Sequence, residues 1–293
     1  MVRFSQRNRL LAEPMNTITE NEVRKLVDAV QSSRKYRELA LPEDMLRDLI
    51  AVNLPNSRNM ADLKTSFRKA LHNVIAPYLE DIDYEKEIQR LQAERFNLQQ
   101  PENLKSYCLK VMAKHASTKE RIPHLQAFFD TIFKTIGSPN SIMDLACALD
   151  PLCLPWIRLA PGASFKAYDI NGPRVRYLQA FFALTYPTYQ AIQQDILLNP
   201  PVEIADCAFF FKEAHRLEKR QPGSTRILLE GVKAKTVVLS LPAVDLKGHH
   251  SLENFHRHLV EKALEGTTWQ QDLRQVGNEL LFFIHKEPAH EPA

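Results

Sequence analysis

Two carboxylates fall at the ends of short apolar runs. Ser164–Ile170 (SFKAYDI) closes on Asp169, and Thr188–Ile196 (TYQAIQQDI) closes near Asp195. A carboxylate at the carboxyl end of a strand in a parallel sheet faces the ligand crevice. There Asp169 can accept from both hydroxyls of a ribose. Asp195, with apolar Ile196 beside it, can accept from an adenine amino group and leave Ile196 against the ring. Upstream, the run Ile142–Leu145 stops in Ala146, Cys147 and Ala148 before Asp150-Pro151, which leaves bare backbone for a ligand to approach. Loop, then acid, then acid suits S-adenosylmethionine better than a dinucleotide. A dinucleotide's pyrophosphate wants a GxGxxG turn, and the chain has none. Each Asp alone also reads as an ordinary strand-end or capping residue; their common register says more than any one of them.

The elements that must position these residues follow from pattern. Strands are expected at Ser141–Cys147, Ser164–Ile170, within Thr188–Ile196, at Asp206–Lys212 and at Lys235–Pro242, with helices at Gly172–Leu184, on either side of Pro222-Gly223, and at Leu252–Leu264. Trp269–Val276 and Glu279–Lys286 flank Gly277-Asn278 as a terminal hairpin. Strands alternating with helices imply an α/β fold, a mostly parallel sheet with helices on both faces and an antiparallel edge from the hairpin.

Before Ser141 the chain reads as helical. Thr19-Glu20-Asn21-Glu22 is a capping box for a helix that runs out at Ser32-Ser33, and Pro42 opens a second helix that ends by Pro55. Asn59–Leu79, Tyr84–Gln99 and Pro101–His115 form three more helices. A second capping box, Ser117-Thr118-Lys119-Glu120, starts a helix that buries Ile122, Leu125, Phe128, Phe129, Ile132 and Phe133 and breaks at Gly137-Ser138-Pro139-Asn140. The organisation expected is a loose tail over 1–15, a helical module over 16–115 and an α/β domain over 116–293. Arg34, Lys35 and Arg37 cluster after the first helix, and Arg68 and Lys69 lie on the polar face of the third. Such charges read either as a solvated face or as a grip on nucleic-acid phosphates.

Composition narrows the class. With 293 residues, 44% hydrophobic and 25% charged, the chain is an ordinary globular sequence, and no apolar run reaches the length of a membrane span. Cys108, Cys147, Cys153 and Cys207 form no CxxC pair and read as free thiols, consistent with a cytoplasmic protein. His249, His250, His256 and His258 lack the spacing of a tetrahedral site, so no metal is expected. Asn199-Pro200-Pro201-Val202 has the look of an amino-methyltransferase box but precedes a strand and lacks the final aromatic; it reads as a turn.

The segment His115-Ala116-Ser117-Thr118-Lys119-Glu120-Arg121, followed by an apolar helix, resembles the aminoglycoside-resistance methyltransferases that act on N7 of a decoding-site guanine in 16S ribosomal RNA, the Arm/Rmt group. SSRKYREL (32–39), MDLACALDPL (143–152), AYDI (167–170), QQDIL (193–197), FFFKEAHRLE (209–218), LSLP (239–242) and VGNELLFFIHK (276–286) fall in that family's order, from about residue 22 to the end. Two positions depart from its pattern: Ala148 stands where the family usually has Gly, and Asp150 where it has Asn. After LSLP the stretch Val244–His250 is less basic than the family's. The resemblance implies a Rossmann-like class I methyltransferase sheet behind a helical RNA- and ribosome-binding domain. It implies S-adenosyl-L-methionine as cofactor and 16S rRNA of the assembled 30S subunit as partner. By carry-over, His115, Thr118 and Arg121 line the cofactor's methionine end, and Ala146, Cys147 and Ala148 form its loop. Asp169 with Ile170 holds the ribose side, Asp195 with Ile196 the adenine, and Lys212 faces the target base as the catalytic residue. Arg34, Lys35, Arg37, Arg68 and Lys69 contact RNA. Two other readings stand beside this one: a non-catalytic RNA- or ribosome-binding relative with a decayed cofactor loop, and a methyltransferase of the same fold acting on another RNA or a small molecule.

Overall fold

A computed structural model describes residues 17–76, 82–245 and 248–286. The chain divides into two compact units. One holds residues 17–37 and 43–76; the other holds 38–42 and everything described from 82 onward. The expected tail over 1–15 lies outside the described residues.

The first unit is three helices, α1 (Glu20–Gln31), α2 (Glu43–Asn53) and α3 (Met60–Ile75). The capping box at α1 forms: Glu22 N donates to Thr19 Oγ1 at 3.3 Å, and Thr19 N donates to Glu22 Oε2 at 3.0 Å. Leu26, Val27 and Val30 of α1, Met45, Leu46, Leu49 and Ile50 of α2, and Leu63, Phe67, Leu71 and Ile75 of α3 are buried at helical spacing. The end of the third helix expected at Leu79 falls outside the described residues.

The second unit begins with α4 (Tyr84–Glu94) and α5 (Pro101–Met112). The sequence grouped these helices with the N-terminal module and set the boundary at 115/116. Tyr84, Leu91, Tyr107, Cys108, Val111 and Met112 are instead part of the core that also holds sheet residues Phe165, Phe209 and Phe283. Hydrophobic burial, not the switch from helix to strand, sets the boundary. Next come α6 (Ala116–Arg121) and α7 (Leu125–Ile136). The second capping box does not form. His115 is the N-cap residue of α6, the Thr118 hydroxyl donates to Met112 O at 2.8 Å, and a short 3-10 turn at Ile122–His124 divides what the pattern read as one helix. Pro123 explains the division, since it has no amide hydrogen to continue the helix.

The sheet has seven strands in the order β3-β2-β1-β4-β5-β7-β6. They are β1 (Ser141–Leu145), β2 (Ser164–Asp169), β3 (Gln190–Gln193), β4 (Ile204–Phe211), β5 (Lys233–Pro242), β6 (Gln270–Val276) and β7 (Glu279–His285). The first five pair in parallel, and β7 and β6 close the far edge antiparallel. Helices α8 (Gly172–Thr185), α9 (Ala214–Arg220), α10 (Ser224–Gly231) and α11 (Glu253–Leu264) complete the connections. Alternation along the strands feeds two cores: Phe209 and Phe211 of β4 enter one with α5, α7 and α8, and Ala208 and Phe210 enter the other with α10 and α11. So the Phe209-Phe210-Phe211 run is a strand buried on both faces.

The five residues 38–42, between α1 and α2, lie on the sheet unit. Gln193 Nε2 donates to Ala40 O at 2.5 Å and to Ile170 O at 3.1 Å, and Leu41 is buried. A Cβ on Gly172 would stand 3.0 Å from Ala40 Cβ, which explains a glycine at the first position of α8.

Among the described residues no helix is long and apolar enough to cross a membrane, and no group of His, Cys, Asp and Glu is arranged to hold a metal ion. His256 is buried with Nδ1 2.8 Å from Pro242 O. All four cysteines are buried and free. Phe209 stacks on Phe211 with centroids 4.9 Å apart. Phe209→Ala should therefore cost about 3–5 kcal/mol, measured by urea denaturation against the wild type.

Candidate active site at the carboxyl edge of the sheet

In the order β2-β1-β4, the carboxyl ends of β1 and β4 flank the switch point of the parallel sheet, where such folds bind ligands. The backbone there is unusual. Four non-glycine residues among those described have positive φ, and three are at this edge: Ala146 (51°), Ala148 (47°) and Lys212 (57°). Left-handed backbone costs an L-residue roughly 1–2 kcal/mol, and such strain gathers at functional sites. The loop is held by Cys147 N donating to Tyr168 O at 2.9 Å and by Asp150 N donating to Cys147 O at 2.8 Å. Lys212 N still donates to Ser240 O of β5 at 2.8 Å, and its positive φ ends β4 there.

Asp169 is buried at the end of β2. Its Oδ2 accepts from Ala148 N at 3.0 Å and from Arg174 Nη1 at 2.9 Å, and its Oδ1 accepts from Asn171 N at 2.7 Å. One carboxylate thus ties the β1 loop, the β2 turn and α8 together and keeps lone-pair capacity for a further donor. Ile170, next to it, is half-buried. Asp195 is buried after β3; Oδ1 accepts from Leu197 N at 3.1 Å, and Oδ2 pairs with Arg220 of α9 at 2.5 Å. Ile196 is buried beside it. The Arg220 partner was not legible in the sequence.

His115, Thr118 and Arg121 are all buried on α6 or at its start. Thr118 spends its hydroxyl on backbone, so its hydrogen lies toward Met112 O rather than the crevice. Arg121 is the centre of a charge network. Nε and Nη2 donate to the two Glu279 oxygens at 2.8 and 2.9 Å, and Nη1 donates to Asp150 Oδ1 at 2.5 Å. The guanidinium also lies 4.4 Å from the Phe128 ring centroid and 4.9 Å from that of Phe211. Burial opposes the charged form, but the two carboxylates outweigh it and hold Arg121 firmly protonated. Burial also pushes Glu279 upward, yet Arg121 and Lys212 draw its carboxyl below the usual range. Glu279 accepts in addition from Ser240 Oγ at 2.9 Å. Lys212, buried at the end of β4, pairs with Glu120 Oε2 at 2.9 Å and stands 3.4 Å from Glu279 Oε1. Glu279, Asp150 and Glu120 were not assigned to the site from sequence. The available signal was a charge balance: an arginine in an apolar setting requires carboxylates, and Glu279 opens an otherwise apolar strand.

The sequence also passed over Asp144. It sits one residue before the carboxyl end of β1, opposite Ala167 of β2 and Phe209 of β4, on the same face as Ile142. It is 1% exposed, and neither carboxyl oxygen has a hydrogen-bond partner. Burial drives its acid well above the usual carboxylate range, and neighbouring Asp150 adds to that. A buried carboxyl without a donor suits a ligand that brings one. With the left-handed loop, Asp169 and the Ile170 and Ile196 side chains, the set fits a ligand carrying an ammonium, a ribose and a planar base. Burial likewise raises the Cys147 and Cys153 thiols well above their ordinary value, which leaves them inert as nucleophiles.

The basic residues of the first unit are exposed. Arg34, Lys35 and Arg37 follow α1, and Arg68 and Lys69 project from α3. Lys35 Nζ reaches His72 Nδ1 of α3 at 3.2 Å, which brings that turn beside the face that carries Arg68, one helical turn away.

Two outcomes follow from the loop and strand β1. Ala148→Gly relieves left-handed strain at the cost of a freer unfolded chain, and should gain about 0.5–1 kcal/mol in denaturant unfolding. Asp144 keeps its proton in the folded state to higher pH than in the unfolded chain. Raising the pH therefore ionises the unfolded state first and erodes stability. The melting temperature of Asp144→Asn relative to wild type should accordingly rise between about pH 4 and about pH 7; a difference flat in pH would contradict the elevated acid.

Relatives place this architecture. The profile of the ribosomal RNA methyltransferase (FmrO) family matches residues 32–284. A 16S rRNA (guanine(1405)-N(7))-methyltransferase of Micromonospora rosea is 27% identical over 277 residues, covering 93% of this chain and 100% of the relative. Among solved structures, the 16S rRNA methyltransferase RmtF in complex with S-adenosyl-L-homocysteine superposes with a TM-score of 0.73 at 24% identity, over 92% of this chain and 100% of that one. The 16S rRNA methylase RmtB gives 0.71 at 23% identity, over 90% and 98%. With the family profile spanning most of its length, the chain belongs to the ribosomal RNA methyltransferase (FmrO) family.

Proposed function

We propose that this protein methylates N7 of a decoding-site guanine in 16S rRNA on the assembled 30S subunit, using S-adenosyl-L-methionine, and that it thereby confers aminoglycoside resistance. The observation that carries the reading is the single edge of the sheet at which the orphan carboxyl of Asp144, the left-handed Ala146–Ala148 loop, Asp169 and Lys212 meet. The names of the relatives supply the RNA and the base.

S-adenosyl-L-methionine, when bound, supplies a methyl group on a positively charged sulfur. Asp169 with Ile170 would hold the ribose side, and Asp195 with Ile196 the adenine. Asp144 and the end of α6, with His115, Thr118 and Arg121, enclose the amino-acid end; the Ala146, Cys147 and Ala148 backbone lies along it. Lys212 meets the target base from the end of β4. Guanine N7 carries a free lone pair and no proton. That pair would accept the methyl group, the S–C electrons staying with the cofactor's sulfur, and the base would leave as a cation. No general base is needed, and none is assigned. The residues act by alignment and by shutting water out. Arg34, Lys35, Arg37, Arg68 and Lys69 grip phosphates and fix the enzyme's position on the subunit. A helical guanine must be turned out of its stack to reach Lys212. Action inside the ribosome fits a cytoplasmic protein.

Purified 30S subunits treated with the protein and cofactor, then cleaved with borohydride and aniline, should give a reverse-transcription stop at a decoding-site guanine. Expression in a sensitive bacterium should raise aminoglycoside tolerance. Lys212→Ala should abolish methylation and leave cofactor affinity by calorimetry unchanged. No cofactor binding at millimolar concentration would favour a non-catalytic relative, and a stop elsewhere would favour another RNA target.

A further inference from the structure

We infer that Glu120 and Lys212 together read the edge of the target base, with Glu120 accepting from guanine N1–H while Lys212 donates to O6; this rests on the guanine-N7 reading above. Lys212 Nζ and Glu120 Oε2 are 2.9 Å apart, so the pair presents a donor immediately beside an acceptor. Guanine carries the complementary pattern on adjacent atoms, an acceptor at O6 and a donor at N1. Adenine carries the reverse, a donor at position 6 and an acceptor at N1. Both side chains line one small recess, together with Phe128, His124 and Asn278; its interior holds no more than about one water, so a base meets the pair at its mouth rather than inside it. Lys212 is almost fully buried, whereas the Glu120 side chain is 38% exposed and open to a ligand from that recess. The Lys212 ammonium is also held by Glu279 Oε1 at 3.4 Å and by Ser117 O at 3.4 Å, and Lys212 itself has a positive φ at the strand end. His124 is exposed at the same recess, its ring packed against Gly277.

The assignment also has a consequence for rate. When N7 takes the methyl group, guanine becomes a cation and no proton leaves it. Its N1–H then becomes a stronger donor. A carboxylate at N1 is therefore bound more tightly in the transition state than in the ground state, which is the condition for it to accelerate the step. It also offsets the unfavourable approach of Lys212 to a base that is gaining positive charge. A selectivity residue and a charge-stabilising residue are here one side chain.

The test uses 30S subunits reconstituted with guanine or adenine at the methylated position, with methyl transfer from labelled S-adenosyl-L-methionine. Wild type should favour guanine by about 10⁴-fold, as a site built to hydrogen-bond its substrate does. Glu120→Gln should lose about 100-fold on guanine. Its amide can donate to adenine N1 where a carboxylate cannot, so its rate on adenine should rise above that of wild type. Glu120→Asp should recover part of the guanine rate and keep the preference. Cofactor affinity by calorimetry should be the same for all three proteins. Equal loss on both bases, with the preference unchanged, would reduce Glu120 to a support for Lys212 and overturn the inference; so would full guanine activity in Glu120→Gln. Wild type that transfers no methyl to guanine-bearing subunits would overturn the parent reading, and this one with it.

Discussion

The sheet domain depends on one buried cation. Arg121 is 2% exposed, and two carboxylates from opposite directions meet its guanidinium, Asp150 from the loop after β1 and Glu279 from the start of β7. Two phenylalanine rings close on it as well. Removing a guanidinium from water costs several kcal/mol, and only well-made hydrogen bonds offset that. The cost makes the arrangement strict. Any shift of α6, of the loop or of the hairpin edge leaves a charge without its partner. Three segments far apart in sequence are fixed against each other by a requirement that apolar packing alone does not impose.

That strictness explains how strained backbone survives nearby. Ala146, Ala148 and Lys212 occupy left-handed conformations within the same edge, and the amides of Cys147, Ala148 and Lys212 donate to neighbouring strands or turns. The backbone at Ala148, with φ 47°, is one that glycine adopts without strain. Alanine is accommodated because Asp169 accepts from its amide, at a price in conformational energy rather than in a lost contact.

Much of the fold was legible. Strand positions, the terminal hairpin and the first capping box followed from period and turn chemistry. The errors have physical causes. Pro123 split a helix whose apolar spacing was continuous, and Thr118 found Met112 O more accessible than its own helix start. The boundary at 115 followed a change of secondary structure, but α4 and α5 follow their apolar faces into the sheet's core. Of the site, the strand-end acids were readable because their position is set by local sequence. Arg220 against Asp195 and Glu279 against Arg121 are pairs 25 and 158 residues apart, and no local pattern announces them. Asp144 was hidden for the opposite reason: a single acid inside an apolar strand looks like an interruption until its lack of a hydrogen-bond donor is seen.

The placement of residues 38–42 bears on how the protein is made. The first unit is interrupted by a segment that belongs to the second, so neither is a continuous stretch of chain. As the chain leaves the ribosome, α1, α2 and α3 emerge together, but the linker between the first two waits for Gln193, some 150 residues later, before Ala40 O has its donor. No single cut would release the two units intact. A fragment starting after the helical unit would lack the piece that covers Gly172 and Gln193, and a fragment ending with that unit would carry the piece with nothing to cover.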